Sequence, residues 1–269
     1  LVKMLAALPL AFTRVMFPTD TKSWAEDVNG QWDQGRMFLY ESGNDAERIL
    51  RLMRLPVMLL AVALGWLLWR WVDMHFGSRV ALLTLFFYSL SPTFIAHSRF
   101  VTTDLAAAFG FFIGMAAFLL FLKAPTRRNI LLAGLAFGTA QLLKFSLVLL
   151  VPIYGVLLLA WAFSQTQFLW RERIGLFFRL GSKVIAIVIV AIALIWLAYA
   201  YSVWNYPAGR QLRDANFILT SFGSRPAANF NLWLISRDIT RPLGQYLLGL
   251  LMVIQRSSGG NTQYFLGEV

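Results

Sequence analysis

The chain has 269 residues, of which 58% are hydrophobic and only 14% charged. A soluble domain carries about 25% charged residues, so a water-soluble single-core protein is excluded. Aromatics at 15% and the lack of any G-x-y or heptad period exclude disordered, collagen-like and coiled-coil classes. With no cysteine there is no disulfide framework, thiol nucleophile or Cys-based zinc site. A net charge of +11 in so apolar a chain flanks membrane spans rather than nucleic acid. The composition is that of an all-α, polytopic transmembrane helix bundle.

Residues 1–54 read as an outer loop with juxtamembrane helices. Ser23-x-x-Glu26 and Asn44-x-x-Glu47 both have the spacing of a helix-starting capping box. After the first, Trp24, Val28, Trp32, Gly35 and Leu39 recur at helical spacing, which predicts a surface helix over 24–40 lying on the membrane. Its tryptophans are either interface anchors or a stacking surface for substrate. Asp45 is expected to pair with Arg48, and Glu47 with Arg51.

Uncharged apolar runs then occupy 55–69, 80–98, 105–122, 129–143, 145–170 and 184–209. A crossing helix needs about 20 residues, so 55–204 is expected to hold about six membrane helices. A single helix over 130–162 would be about 50 Å long against a core of about 30 Å. Two crossings meeting near Lys144 are therefore preferred. Segment 205–269 reads as a second outer loop, turn-rich over 210–242, with a short apolar stretch at 243–255 that is interfacial or re-entrant. Loops 70–79, 123–128 and 164–183 carry nine cations, whereas the short loops between them offer only Arg99 and Lys144. The positive-inside rule places the nine in the cytoplasm and 97–104 outside. Leu1 opens without an initiator methionine and no stop pattern precedes Val269, so the sequence reads as an internal stretch of a longer protein.

Ionisable groups at membrane depth are costly, and each is a candidate for function. Arg54 opens a span without an acidic partner within a turn; its guanidinium suits a phosphate, which it binds bidentately, or it snorkels to lipid headgroups. The second candidate is the polar loop from His97 through Arg99 to Asp104. Asp104 either stabilises the start of the next helix or faces a sugar, an acceptor hydroxyl or a metal. One histidine with one aspartate does not make a metal site. Lys144, between two apolar runs, either reaches an outer cavity or binds an anion. Gly134-x-x-x-Gly138 has the spacing of a close-packed helix pair. No Walker A loop, H-E-x-x-H or G-x-S-x-G is present.

Several stretches together resemble the GT-C glycosyltransferases that use a polyprenyl-phosphate sugar, the protein O-mannosyltransferase and aminoarabinose-transferase superfamily, with bacterial family-39-like members nearest. They are Leu1-Val-Lys-Met-Leu-Ala-Ala-Leu-Pro, Asn29-Gly-Gln-Trp-Asp-Gln-Gly-Arg, Gly43-Asn-Asp-Ala-Glu-Arg-Ile-Leu-Arg-Leu-Met-Arg-Leu-Pro and Ser91-Pro-Thr-Phe-Ile-Ala-His-Ser-Arg-Phe-Val-Thr-Thr-Asp. Ala133-Gly-Leu-Ala-Phe-Gly, Leu143-Lys-Phe-Ser and Tyr264-Phe-Leu-Gly-Glu complete the set. The resemblance implies a GT-C-type bundle and a membrane enzyme moving a mannose-like or aminoarabinose-like sugar to a hydroxyl or phosphate acceptor, on a protein or glycolipid, at the outer face. It implies a multi-pass protein of a bacterial inner membrane, with membrane lipid around it and no nucleic acid. It fixes no cofactor, and a divalent cation is compatible with it. Arg54 matches the arginine associated with the carrier phosphate, Asp104 an acidic position of the second outer loop, and Lys144 a basic position. His97 and Arg99 are grouped with Arg54 and Lys144 as donor-binding candidates, and Asp104 is the catalytic candidate. The three outer-face groups Arg54, Lys144 and Asp104 are expected to converge on one cavity. In the family an acidic pair supplying the base precedes the stretch like Leu1-Val-Lys; Asp20, Glu26 and Asp27 do not match it, so the base is expected upstream of residue 1. The alternative class is a transporter or lipid-carrier flippase, which predicts inverted repeats or broken helices at the midplane.

Overall fold

The computed structural model describes residues 1–258; the Tyr264-Phe-Leu-Gly-Glu stretch lies outside them. Among the described residues there are thirteen α-helices and no β-strand. The chain divides into two compact units, Leu1–Phe109 and the residues from Gly110 onward.

The first unit opens with α1 (Val2–Ala7) and a 3-10 turn (Leu8–Phe12), followed by α2 (Lys22–Ala25) and α3 (Gln31–Arg36), which runs into a π turn (Met37–Glu41). Then come α4 (Ala46–Phe76), α5 (Ser78–Leu90), α6 (Pro92–Ser98) and the start of α7 (Asp104–Lys123). The single surface helix expected over 24–40 is absent. Its residues form the short α2 and α3, because a buried amide pulls the chain inward between them. Thr21 Oγ1 and Ser23 Oγ both donate to Gln34 Oε1 at 2.7 Å, and Gln34 Nε2 donates to the Pro18 carbonyl at 2.6 Å. Ser23 is thereby diverted from capping. Trp24 instead meets Phe17 edge-on at 4.9 Å, and Trp32 is exposed.

The second capping box is displaced by one residue. Asp45 caps α4, its Oδ1 accepting the Arg48 N–H at 3.0 Å. Asn44 brackets Met16, accepting its N–H at 2.9 Å and donating to its carbonyl at 2.7 Å. The Glu47–Arg51 pair forms one turn along α4. Helix α4 stops at Gly77, whose φ of +83° is open to a residue without Cβ, and α5 turns straight back. Tyr88 of α5 lies over Gly65 of α4 and donates its hydroxyl to the Ala61 carbonyl at 2.8 Å. The apolar run 80–98 is not one straight helix. It bends by 61° between α5 and α6, because Pro92 has no N–H to donate and disfavours helical geometry at Ser91.

The second unit contains the rest of α7, α8 (Arg127–Leu143), a 3-10 turn (Phe145–Leu149), α9 (Leu150–Phe163) and α10 (Trp170–Val203). It continues with α11 (Ala208–Leu219), α12 (Arg225–Ile235) and α13 (Arg241–Ser258). Helices α7 to α10 alternate in direction. Gly110 and Gly114 of α7 lie against Leu147 and Tyr154, and the Phe118 ring stacks on Tyr154 at 3.9 Å, 3° from parallel. Gly134 and Gly138 of α8 lie against Val190 and Ala191 of α10, so the small-residue spacing does pack two helices face to face. Phe118, Phe121, Phe137, Leu150 and Ile187 bury between the four helices.

Two loop expectations are corrected. Residues 170–183 are the first turns of α10: Glu172 Oε2 accepts the Leu169 N–H at 2.7 Å and starts the helix. Residues 210–242, expected to be turn-rich, are mainly α11 and α12, packed with α13 around Ala215, Leu219, Ile235, Leu248 and Leu251. Helices α4, α7 and α10 and the stretch 145–163 are each long and apolar enough to cross a membrane, and the bent α5–α6 pair makes a fifth if it is one span. The architecture is an all-α polytopic helix bundle. With 17 residues, α8 rises about 25 Å, a little under the hydrocarbon core of about 30 Å.

Candidate functional site

The site candidates of the first unit collect at one of its ends. Helix α4 begins there, and the α5–α6 hairpin arm returns to it from Gly77. Arg54, in the third turn of α4, is half-buried with its Cζ 5.8 Å from the Phe100 ring centroid. A guanidinium over an aromatic face keeps its charge while its fork stays available to an anion. Arg99 closes α6, its N–H bonded to the Ala96 carbonyl at 3.3 Å, and is exposed. His97 Nδ1 lies 3.5 Å from Asp104 Oδ2, with each side chain nearly half exposed. Asp104 is the first residue of α7, where the positive end of the helix dipole favours a carboxylate. Beside it, the Thr102 hydroxyl is buried with no protein hydrogen-bond partner. The structure therefore brings Arg54, His97, Arg99 and Asp104 to one end of the first unit.

Lys144 belongs to the second unit and stands where the chain reverses. Its backbone is extended (φ −155°, ψ 130°) between α8 and the 3-10 turn, and its side chain is half-buried. The buried Gln141 spans the break, donating from Nε2 to the Leu147 carbonyl at 2.9 Å. Tyr246 of α13 donates its hydroxyl to Gln141 Oε1 at 3.1 Å.

A second polar cluster, missed from sequence, joins α10 to α11 and α13. Tyr206 Oη donates to Asp214 Oδ2 at 2.6 Å, and Arg213 reaches Asp214 Oδ1 at 2.8 Å. Burial pushes the Tyr206 hydroxyl up, and the bond to Asp214 adds to this, to about 12. Burial also pushes the Asp214 carboxyl up, but the hydrogen bonds from Tyr206 and Arg213, with the Arg213 and Arg210 charges, outweigh it and hold it below its ordinary range. Arg241 donates to the Val203 and Tyr206 carbonyls and to Gln211 Oε1, closing the end of α10. Nothing in the sequence marks these residues: Gln211 and Asp214 are polar yet buried in the fold, where such groups need partners. Among the described residues no group of three or more His, Cys, Asp or Glu gathers as a metal site would require.

Residues 49–196 match the sequence model of the dolichyl-phosphate-mannose-protein mannosyltransferase family. No curated protein and no solved structure matches the chain significantly. The matched stretch includes Arg54, His97, Arg99, Asp104 and Lys144.

Proposed function

The chain belongs to the dolichyl-phosphate-mannose-protein mannosyltransferase family of GT-C-type glycosyltransferases, and on that premise we propose that it moves a sugar from a polyprenyl-phosphate carrier to a hydroxyl or phosphate acceptor at the outer membrane face. The observation that carries the reading is the gathering of Arg54, His97, Arg99 and Asp104 at one end of the first unit, with Arg70 and Arg79 at its other end. The second unit has the same asymmetry. Lys123, Arg127, Arg128 and the cations of early α10 share an end, tied by Lys183 Nζ donating to the Pro125 carbonyl at 3.1 Å, and Lys144 stands at the opposite one. Under the positive-inside rule the cation-rich ends are cytoplasmic. The reversal at Lys144 then makes α8 and α9 two crossings, six in all with the bent pair, in a bacterial inner membrane.

The chemistry follows from charge. As the anomeric carbon–oxygen bond breaks, negative charge grows on the carrier phosphate and a cation is needed to neutralise it; Arg54 is the candidate of the first unit and Lys144 that of the second. Asp104, at the start of α7 and beside His97, faces the sugar or acceptor, with Arg99 and His97 at the donor's polar rim. The proton of an acceptor hydroxyl passes to a carboxylate base as that oxygen attacks.

The test is transfer from a polyprenyl-phosphate sugar by the full-length enzyme. Arg54→Ala is expected to cost about 10²–10³ in kcat, the usual loss for one transition-state donor. Arg54→Lys also falls, because the bidentate fork is lost while the charge is kept. Full activity in both variants would overturn the phosphate role.

A further inference from the structure

Lys144 sits in a break, and a break is a poor platform unless something fixes it. The last helical bond of α8 reaches it, Lys144 N–H to the Ala140 carbonyl at 3.2 Å, and the 3-10 turn starts from its own carbonyl, bonded by the Leu147 N–H at 3.0 Å. Gln141 braces the break from one turn before, its amide bonded to the Leu147 carbonyl on the far side. That amide is 3% exposed, so its oxygen also requires a donor, and the donor is the hydroxyl of Tyr246, 105 residues further along the chain. The Tyr246 ring is itself wedged. It lies 5.6 Å from Phe145, the residue after Lys144, and meets Tyr199 of α10 edge-on at 5.7 Å. Gly249, one turn on, leaves the space that the Phe145 ring fills, since a Cβ there would collide with it.

We infer that Tyr246, acting through Gln141, is a positioning residue for Lys144, so that α13 sets how this cation is presented to the carrier phosphate. The inference rests on the assignment of Lys144 to that phosphate above. It gives the segment beyond residue 196, outside the family match, a part in the same reaction. A loosened break leaves Lys144 charged but badly placed, and misplacement by about 1 Å is costly in such sites.

The experiment uses the full-length enzyme, with the KM for polyprenyl-phosphate sugar and kcat measured for Tyr246→Phe, Lys144→Met and the double variant. Tyr246→Phe keeps the ring packing and removes only the hydroxyl. It is expected to raise KM about three- to tenfold, the worth of one hydrogen bond, and to add nothing in the Lys144→Met background, because the two act on one element. The second readout is the rate at which the Lys144 amine is acylated relative to Lys123, followed by mass spectrometry. It should change measurably in Tyr246→Phe if the amine has moved or gained freedom. Where Lys144→Met itself changes KM or kcat, positioning stands only if the kinetic constants and the reactivity both move in Tyr246→Phe. An equal KM effect with and without Lys144, or unaltered reactivity, overturns it. If Lys144→Met keeps both the wild-type KM and kcat, the phosphate assignment of Lys144 fails, and the acylation rate alone then decides whether Tyr246 positions the amine.

Discussion

Gly134 lies directly against Val190: a Cβ built on Gly134 would stand 2.6 Å from the Val190 Cβ and 2.9 Å from the Ile187 carbonyl oxygen. Helices α8 and α10 can approach this closely only because position 134 has no side chain. Gly134→Ala is therefore expected to destabilise the bundle by about 1–3 kcal/mol, the cost of overpacking a filled interface. Gly155 of α9 has nothing within 4 Å of such a Cβ, so Gly155→Ala should be neutral or slightly stabilising. Thermal unfolding in detergent compares the two, and equal melting temperatures would contradict the packing account.

Acid should loosen the α10–α11 junction through Asp214. Its carboxyl is held below the ordinary carboxylate range in the fold. A lowered folded value means stability that is present above the unfolded pKa of about 4 and lost as pH falls through the folded one. Unfolding followed from pH 6 down to about pH 3 should show this acid limb, and Asp214→Asn should flatten it. Tyr206→Phe removes a hydrogen bond to a charged acceptor and is expected to cost about 1.5–3 kcal/mol at neutral pH.

The alternation of α7 to α10 puts residues 124–126 and 164–169 at the same end of the second unit. The chain has no native cysteine, so single cysteines report cleanly. Cysteines at Thr126 and Gln165 are expected to label from the same side of the membrane in intact cells, and one at Lys144 from the other. Labelling of Thr126 and Gln165 from opposite sides would refute two crossings over 130–162.

Phe100 supports Arg54 by ring contact at 5.8 Å. Phe100→Leu keeps an apolar side chain and removes the π face. It is expected to weaken binding of the donor by about two- to fivefold, as for a partly exposed cation–π pair of about 0.5–1 kcal/mol, read as KM. An unchanged KM would separate Arg54 from the ring.

What the sequence announced locally, the structure largely contains. A lysine interrupting 129–170 marks the helix break, glycines four apart mark the α8–α10 contact, and Glu47 four residues before Arg51 marks the first ion pair of α4. The misreadings have physical causes. Ser23 and Glu26 are spaced as a capping box, but Gln34 competes for the serine hydroxyl, and a local motif cannot anticipate that. Helix α11 hides its period because Gln211 and Asp214 occupy its buried face with Ala215 and Leu219, so its inward stripe reads as polar. Pro92 was visible, but an unbroken run of hydropathy masked its effect on Ser91. The Tyr246–Gln141 bond joins residues too distant for any periodicity to register, and so the support of Lys144 was not legible at all.

The bend at Ser91 has a consequence for the lipid. The 13 residues of α5 rise about 20 Å, and α6, tilted by 61°, adds about 5 Å more along the same axis. Crossing as one span, the pair falls short of a hydrocarbon core of about 30 Å. Such mismatch is relieved by local thinning of the bilayer. Thinning would lower the headgroup plane beside α6, toward the end where Arg54 stands, and under the proposed function a lipid-linked phosphate would then meet the guanidinium without being lifted out of its own leaflet.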